Sequence, residues 1–304
     1  MKTSNCPQCL RHEFKRDVIS ILCPTRGRPD NVRKLVESAL ETAQRPRDIE
    51  ILFYVDTDDS SFPHELVSKF PNQIKVINGP RMWISNSHNV LYAFSSGEIL
   101  MTAGDDMEFR TNEWDLRVRN QFSSFEDKIA LVFGNDNATH AGKIAVHGFF
   151  HQHWIHSVGT WVQPGRGVPW DLWTTDNARL LGRLIYLEDM IISHNHYRQG
   201  GAQAEFDQTY KDVYTQSASF RPLITYTLLK RERRIDRILL REAMTETPKI
   251  EKEYLLSEMI VRKLGANGKS RRLLTMTNGD VIRNVFTFPV RKFKNMLQKL
   301  KNDE

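Results

Sequence analysis

The stretch that decides the fold is residues 85–106, SNSHNVLYAFSSGEILMTAGDD. Its first half has apolar residues at helical spacing, and Gly97 ends the predicted helix. Residues 99–103 (ILMTA) form a short apolar run, which predicts a buried strand. This strand leads directly into Gly-Asp-Asp at 104–106. The sequence therefore places two adjacent carboxylates at the end of a buried strand.

The chain on both sides of this stretch repeats the strand and helix pattern. Residues 17–23 (DVISILC) and 49–55 (IEILFYV) predict buried strands, and a helix that starts with Asp30 as its N-cap connects them. Residues 74–77 and 129–133 predict two more strands. Short loops between alternating strands and helices indicate an α/β protein with a doubly wound, mostly parallel sheet.

Polar clusters follow the predicted strands. Such sheets bind ligands at the carboxyl ends of their strands, so these clusters are expected to meet in one crevice. Carboxylate oxygens are ligands that Mg²⁺ and Mn²⁺ prefer, so the acid pair is a candidate divalent-cation site, with a solvated turn or an N-cap of the next helix as the alternative. The clusters are Pro24, Thr25, Arg26 and Arg28 after the first strand, Asp56, Asp58 and Asp59 after the second, and Asp105 with Asp106 after the fourth.

Four segments resemble the nucleotide-binding half of the GT-A glycosyltransferases, in particular the group similar to family 2. They are ISILCPTRGRP, EILFYVDTDDSS, the stretch 85–106 and WDLWTTDN, and together they span about residues 17–180. The resemblance implies a GT-A fold, a nucleotide-diphosphate sugar donor such as a UDP-sugar, a Mn²⁺ or Mg²⁺ ion, and an inverting transfer to an acceptor hydroxyl. The family's metal strand ends in Asp-x-Asp, whereas Gly104 takes the first position here, and His88 stands where the family has Arg before Asn89.

The resemblance also implies roles for individual residues. Asp106 falls on the usual metal ligand, and Asp105 on a group that reaches the ribose or a metal-bound water. Asp56 is expected to bind the nucleobase or ribose, with Asp58 and Asp59 as alternatives. The remaining expected donor contacts are Pro24, Thr25, Arg26, Arg28 and Asn89, of which the two arginines are candidates for the diphosphate.

The acceptor side is expected after residue 136. Asp176 matches the acidic acceptor-side segment and is the candidate general base for an inverting transfer, with an N-cap as its alternative role. The competing acids are Asp171, Glu188 and Asp189. His194 and His196 are candidates to complete the metal shell. A further cluster predicts either an acceptor pocket or a packed core, and consists of His147, His151, His153, His156, Trp154 and Trp161.

Charge is distributed unevenly along the 304 residues. The whole chain has a net charge of +6, yet residues 221–304 hold 20 Lys and Arg against 10 Asp and Glu. We therefore expect an N-terminal arm (1–16), a catalytic domain (17–220, divided into a donor part, 17–135, and an acceptor and metal part, 136–220) and a basic helical C-terminal extension (221–304). The extension predicts binding to a polyanion, with DNA preferred over a membrane surface, or a solvated helical cap.

The acceptor and the rival functions stay open at this level. A hydroxymethylated DNA base is preferred, and polysaccharide, glycolipid and protein are the alternatives. A nucleotidyltransferase is disfavoured because PTRGRP has one Gly and no Lys. A noncatalytic nucleic-acid-binding protein would leave the acidic strand ends unexplained.

Cysteine content and hydropathy limit the class of protein. Three cysteines do not suggest a disulfide framework, and Cys6, Cys9 and His12 are either reduced thiols in an arm or part of a zinc site without an evident fourth ligand. No apolar run approaches the roughly 18–20 residues of a transmembrane helix. A cytoplasmic protein without a transmembrane segment is expected.

Overall fold

The computed structural model describes residues 14–137, 142–162, 169–195, 226 and 229–245. Cys6, Cys9, His12 and His196 lie outside these residues. The elements are β1 (Lys15–Thr25), α1 (Pro29–Glu41), β2 (Ile49–Asp56), α2 (Glu65–Lys69), β3 (Ile74–Gly79), α3 (Ile84–Phe94), β4 (Gly97–Thr102), β5 (Met107–Phe109), α4 (Trp114–Ser123), β6 (Leu131–Asn135), β7 (Phe149–His151), α5 (Gln152–Val158), α6 (Trp170–Leu180), β8 (Leu184–His194) and α7 (Lys230–Ala243).

The strands form one eight-stranded sheet in the order β3-β2-β1-β4-β7-β6-β8-β5. The first four strands in this order are parallel neighbours. Strand β7 then pairs antiparallel with both β4 and β6, and β5 pairs antiparallel with β8. The mostly parallel α/β sheet predicted from the sequence is confirmed. Within the described residues, no helix is long and apolar enough to cross a bilayer.

Helices cover both faces of the sheet because alternate residues of each strand point to opposite sides. In β1, Ile19 and Ile21 pack on the side of α1 and α4, whereas Leu22 packs on the side of α3, α5 and α6. Every residue of β2 is buried, as expected for a central parallel strand. Helix α7 contributes Leu240 to the second core, so this part of the basic extension packs on the α/β domain.

Helix α1 begins two residues earlier than expected. Its N-cap is Arg28, Pro29 takes the first helical position, and Asp30 lies inside the first turn. The prediction that Asp30 is the N-cap is therefore wrong. Proline at the first helical position has a preset φ and loses no helical hydrogen bond, so it determines the start of the helix. Asp30 instead pairs with Arg33 at 2.8 Å on the exposed surface.

A buried glutamate joins four segments near the amino-terminal edge of the sheet. Glu50 accepts hydrogen bonds from the Ser20 hydroxyl at 2.6 Å, from the Ser96 N–H and hydroxyl at 2.5 and 2.9 Å, and from Lys75 Nζ at 2.7 Å. Burial raises the pKa of Glu50, but these hydrogen bonds outweigh it and hold the pKa below its ordinary value of 4.5. The ionised carboxylate therefore stabilises the fold.

We expect Glu50→Gln to lower the free energy of unfolding at pH 7 by about 1–3 kcal/mol, because buried hydrogen-bond donors lose a charged acceptor. The folded-state pKa is depressed, so this contribution is present above the unfolded-state pKa and is lost as the pH falls through the folded-state value. Urea unfolding of both proteins at pH 7 and at acidic pH tests this. Glu37→Gln is the matched control, since Glu37 also pairs with a lysine but is 43% exposed. A difference between wild type and Glu50→Gln that stays constant with pH would contradict the assignment.

Candidate metal and donor site

The acid pair lies where the buried strand β4 ends, and both carboxylates are buried, with exposures of 4% for Asp105 and 9% for Asp106. Both oxygens of Asp105 have partners from the loop after β1. Thr25 Oγ1 donates to Asp105 Oδ2 at 2.8 Å, and Arg28 Nη1 donates to Oδ1 at 2.9 Å. The parallel pairing of β1 with β4 places these segments side by side. Asp105 therefore connects the first loop to the end of β4.

Electrostatics separate the two acids into different roles. Burial raises the pKa of Asp105 to about 6 against the opposing charge of Arg28, and the neighbouring Asp106 adds to the rise. Asp105 binds Arg28 and Thr25, whereas Asp106 lies beside His147 and His194. Arg28 forms an ion pair with the buried Asp105 carboxylate. The sequence had predicted that Arg28 contacts the diphosphate of the donor.

Asp106, His147 and His194 form a cluster with the geometry of a metal site. One potential ligand atom from each residue lies within 4.8 Å of those of the others. His194 Nε2 is 3.3 Å from Asp106 Oδ2, and the rings of His147 and His194 meet edge-on with centroids 4.7 Å apart. Antiparallel pairing of β5 with β8 places Met107 opposite His194, and the Asn195 N–H donates to the Asp106 carbonyl at 2.8 Å. The fold therefore fixes His194 beside the acid pair.

Of the two histidines, only His147 is held in the protonation state that binds a cation, because the raised pKa of His194 favours its protonated form, which must release a proton to a metal. Both ring nitrogens of His147 are buried and neither has a hydrogen-bond partner of good geometry among the described residues, although the Thr102 backbone lies close enough to favour the protonated ring. Burial, together with His194, lowers the pKa of His147 to about 3, so its imidazole is neutral, which is the form that binds metals. Burial lowers the pKa of His194, but contact with Asp106 outweighs it and the net pKa is raised. A carboxylate and two imidazoles form a donor set that Mn²⁺ accepts.

Gly104 is the position where the resemblance implies an acid. A Cβ at this position would lie 2.8 Å from Asp106 Oδ1 and 3.3 Å from Cε1 of His147. The first distance is shorter than non-bonded contacts allow. A side chain at this position would therefore force the Asp106 carboxylate to shift, and His147 lies close beside it.

The loops after β1 and β2 are joined by charge pairs. Arg26 Nη1 donates to Asp56 Oδ2 at 2.9 Å, and its two terminal nitrogens donate to Asp58 at 2.5 and 2.9 Å. The Gly27 N–H donates to Asp59 Oδ2 at 2.8 Å. Pro24 pairs with Tyr54 in the register of β1 and β2, just before these loops. The candidate donor residues Arg26 and Asp56 therefore lie in contact.

Two predicted site residues have structural partners. The Asn89 side chain donates to the Val162 carbonyl at 2.9 Å and accepts from the Val162 N–H at 3.1 Å, so it fixes the segment after α5. Asp176 is 1% exposed, lies in the interior of α6 and accepts a hydrogen bond from the Tyr226 hydroxyl. Arg233 lies 3.5 Å above the Tyr226 ring. Asp176 is therefore not the N-cap of a helix, and it links α6 to the C-terminal segment.

The sequence placed His147 in the acceptor cluster and not among the metal ligands. The register of β7 explains the difference, because Phe149 pairs with Met101 and His151 with Ile99. Continuing this antiparallel register backward brings His147 toward the end of β4, whereas His151 lies near the start of β4, 3.7 Å from Glu98. The sequence shows that His147 precedes an apolar strand. This position places His147 near Asp106 only when β4 is known to be the partner of that strand.

One comparison with a solved structure supports the fold. No family model and no curated protein sequence matches the chain. Among solved structures, the mannosyltransferase PcManGT from Pyrobaculum calidifontis, in complex with GDP-Man and Mn²⁺, has a TM-score of 0.50 and 11% identity over 91% of this chain and 83% of its own. S. aureus TarS 1–349 in complex with UDP-GlcNAc has a TM-score of 0.46 and 14% identity over 74% and 90% of the two chains.

A longer TarS structure has a TM-score of 0.48 and 13% identity over 70% of this chain, but only 40% of its own length is covered. The chain therefore spans less than half of that protein. The likeness to PcManGT shows the fold, and the GT-A architecture expected from the sequence is confirmed.

Proposed function

We propose that the protein is a metal-dependent glycosyltransferase that uses a nucleotide-diphosphate sugar, such as a UDP-sugar, with Mn²⁺ or Mg²⁺. The observation that carries the proposal is the Asp106, His147 and His194 cluster at the carboxyl end of β4, in a GT-A fold and next to Asp105. The PcManGT structure was solved with GDP-Man and Mn²⁺, which supports this choice of ligands. When bound, a divalent ion neutralises the charge that develops on the leaving diphosphate.

The residues of the chain divide the remaining tasks. Asp106, His147 and His194 would hold the ion, with His196, outside the described residues, still a predicted ligand from the sequence. Asp105, fixed by Thr25 and Arg28, borders the ion site and would contact the ribose or a metal-bound water. Arg26 and Asp56 present a donor next to an acceptor, which suits hydrogen bonds to a nucleobase or ribose.

An inverting transfer needs a carboxylate that accepts the proton of the acceptor hydroxyl. Asp176 is bonded to Tyr226 and buried, so it could act as this base only after Tyr226 moved away. Asp171 lies in the first turn of the same helix and is half-buried. Within the proposal Asp176 stays the candidate base, and Asp171, which accepts a hydrogen bond from the Leu172 N–H at 2.9 Å, is the alternative on the same helix.

The rival functions explain less of the site. Burying the carboxylates of Asp105 and Asp106 and the poorly paired imidazole of His147 costs free energy. A noncatalytic nucleic-acid-binding protein would have no use for these groups. A nucleotidyltransferase would share the metal but usually needs a lysine in its phosphate-binding loop. The loop after β1 of this chain, PTRGRP, has none. The deciding experiment is mass spectrometry of products from a panel of nucleotide sugars and acceptors with Mn²⁺. Donor hydrolysis that does not depend on a divalent ion would refute the proposal.

The acceptor part of the proposal keeps a hydroxymethylated DNA base as the candidate from the sequence. It is supported by the cations exposed on α7, which are Lys230, Arg231, Arg234 and Arg241. The same helix exposes Ile235, Ile238 and Leu239, so anionic vesicles must be tested beside DNA.

We expect duplex DNA to bind at low salt with log K falling against log salt at a slope of about −3 to −4, if each exposed cation meets one phosphate. Replacing Arg231 and Arg234 by glutamine should reduce the slope by roughly 2. Fluorescence anisotropy over a salt series measures both values. Arg117→Gln combined with Arg110→Gln is the control, since both lie away from α7 in exposed ion pairs. Preferential binding to anionic vesicles, or a flat salt response, would argue against DNA.

A further inference from the structure

Two side chains from the C-terminal part of the chain cover the candidate base Asp176. The Tyr226 hydroxyl donates to Asp176 Oδ2, and Arg233 Nη1 donates to the Tyr226 carbonyl. The Arg233 guanidinium also lies 3.5 Å from the centroid of the Tyr226 ring and 5.6 Å from that of Trp173. Asp176 is 1% exposed, so an acceptor hydroxyl cannot reach its carboxylate while this cover, formed by Tyr226 and Arg233, is in place.

The first two turns of α7 are held on α6 by contacts of buried charged groups. Asp236 accepts a hydrogen bond from the Trp173 Nε1–H at 2.8 Å, and Arg233 is 5% exposed. Burial lowers the pKa of Arg233 to about 10 against the opposing charge of Asp176. The desolvation of a buried ion offsets much of what its contacts gain, so such contacts stabilise a fold only weakly.

The carboxyl end of α7 is anchored differently. Leu240 is fully buried in the second core, and Met244 is 9% exposed and packs in the same core. The Thr245 N–H donates to Asp127 Oδ2 at 3.1 Å, and the same carboxylate pairs with Arg183 at 3.1 Å. The first two turns of α7 can therefore leave α6 while the carboxyl end of the helix stays in place.

Cations that suit a polyanion lie on the same two turns as the cover. Lys230, Arg231 and Arg234 are exposed, and the buried Arg233 lies among them in the sequence. A ligand shifts an equilibrium between two conformations only if it binds one of them more tightly. Opening the cover makes Arg233 available as a further cation, and one more phosphate contact strengthens DNA binding by roughly tenfold near 0.1 M salt. DNA therefore favours the open form.

We propose that DNA binding to α7 opens the cover and frees Asp176, so that the base is available when a DNA acceptor is bound. The inference rests on the proposed sugar transfer with Asp176 as its base. In that transfer Asp176 takes the proton of the acceptor hydroxyl, and the acceptor oxygen bonds to the anomeric carbon of the sugar. The bond from that carbon to the diphosphate breaks, and its electron pair stays on the diphosphate. A covered base also slows the reaction of the donor with water when no acceptor is bound.

The test labels carboxyl groups chemically and needs neither donor nor metal. The full chain is treated with a carbodiimide and glycine ethyl ester, and mass spectrometry locates the labelled residues. The probe is a short DNA duplex without hydroxymethylated bases, at low salt. We expect the duplex to raise the rate of Asp176 labelling by about tenfold. Asp115, which is 0% exposed and accepts from the Gln44 N–H at 2.7 Å, should stay unlabelled, and the 84% exposed Asp30 should react equally with and without DNA.

Tyr226→Phe opens the cover without DNA, because it removes the hydroxyl and keeps the ring beside Arg233. The loss of one hydrogen bond to a carboxylate should raise Asp176 labelling by about ten- to a hundredfold. Tyr186→Phe is the matched control, since it removes the hydroxyl of a half-buried tyrosine on β8, and it should leave Asp176 labelling unchanged. Asp115 that stays unlabelled in both variants excludes unfolding as the cause.

Faster Asp176 labelling both with the duplex and in Tyr226→Phe supports the inference. A rate that the duplex leaves unchanged or lowers would overturn it, and so would an unchanged rate in Tyr226→Phe. An increase caused by anionic vesicles and not by the duplex would assign the control of Asp176 to a membrane surface and overturn it as well. Mn²⁺-dependent donor hydrolysis is measured separately. Its absence would refute the proposed sugar transfer even if DNA opens the cover, whereas hydrolysis by a protein whose Asp176 stays covered with DNA would refute this inference alone.

Discussion

Asp106→Asn is expected to reduce Mn²⁺-dependent donor hydrolysis by about 10³-fold, because several kcal/mol of charge stabilisation are lost with the ion and each 1.4 kcal/mol is a factor of about ten. Among the described residues, Asp106 contributes the only carboxylate of the candidate metal cluster. An amide oxygen is neutral and a weaker ligand for a hard cation. Electron paramagnetic resonance of free Mn²⁺ measures the metal affinity directly, and hydrolysis of UDP-sugars measures the reaction.

The control is Asp30→Asn, which changes an 84% exposed carboxylate in a surface ion pair. It should leave metal affinity and hydrolysis unchanged, since exposed pairs contribute little. Unchanged Mn²⁺ affinity in Asp106→Asn would show that the cluster is not the metal site. If the melting temperature of Asp106→Asn stays near that of the wild type, the loss of hydrolysis results from loss of the ion and not from unfolding.

His147→Leu separates the metal role from a structural one within the same test. Neither buried nitrogen of His147 has a hydrogen-bond partner of good geometry among the described residues, so a leucine of similar volume removes poorly satisfied polar atoms. The metal-free variant should therefore be as stable as the wild type or more stable, while its Mn²⁺ affinity falls. A structural histidine would give the opposite pattern, with lower stability and unchanged metal affinity.

The sequence predicted the parallel half of the sheet because its signals are local. Strands β1 to β4 are six to eleven residues long, and each contains an apolar run that can be recognised without its neighbours. Strands β5 and β7 have three residues each and no periodicity of their own. They exist because antiparallel partners far along the chain complete the sheet, and this pairing is not encoded locally.

The same distinction applies to the site. Asp105 and Asp106 were found because they follow a recognisable strand. His147 joins them through the pairing of β7 with β4, and Asp176 meets Tyr226, which lies 50 residues further along the chain. The helical spacing around Asp176 was visible in the sequence, but its burial against the C-terminal segment depends on how α6 and α7 pack. Residues whose partners are distant in the chain were therefore the ones assigned differently.

Gly104→Asp, which writes the Asp-x-Asp pattern into this chain, is expected to lower Mn²⁺ affinity and donor hydrolysis by about 10²-fold, the order of loss that a displacement of about 1 Å causes in a catalytic group. The new Cβ would lie 2.8 Å from Asp106 Oδ1, so the Asp106 carboxylate must turn away. Asp106 would then lose its 3.3 Å contact with His194 Nε2. A further carboxylate beside Asp105 and Asp106 would also add repulsion between buried like charges.

Gly104→Ala separates the steric effect from the charge, because alanine adds the Cβ without a carboxylate. If the close approach of Asp106 and His147 determines this position, alanine alone should cause most of the loss in Mn²⁺ affinity. If the chain instead merely lacks an acid that it could use, Gly104→Ala should be neutral and Gly104→Asp should bind Mn²⁺ more tightly than the wild type. The two views predict opposite signs for the aspartate variant. A lower Mn²⁺ affinity of Gly104→Asp would indicate that His147 substitutes for the missing acid. A higher Mn²⁺ affinity would indicate that the site can use an additional carboxylate beside His147.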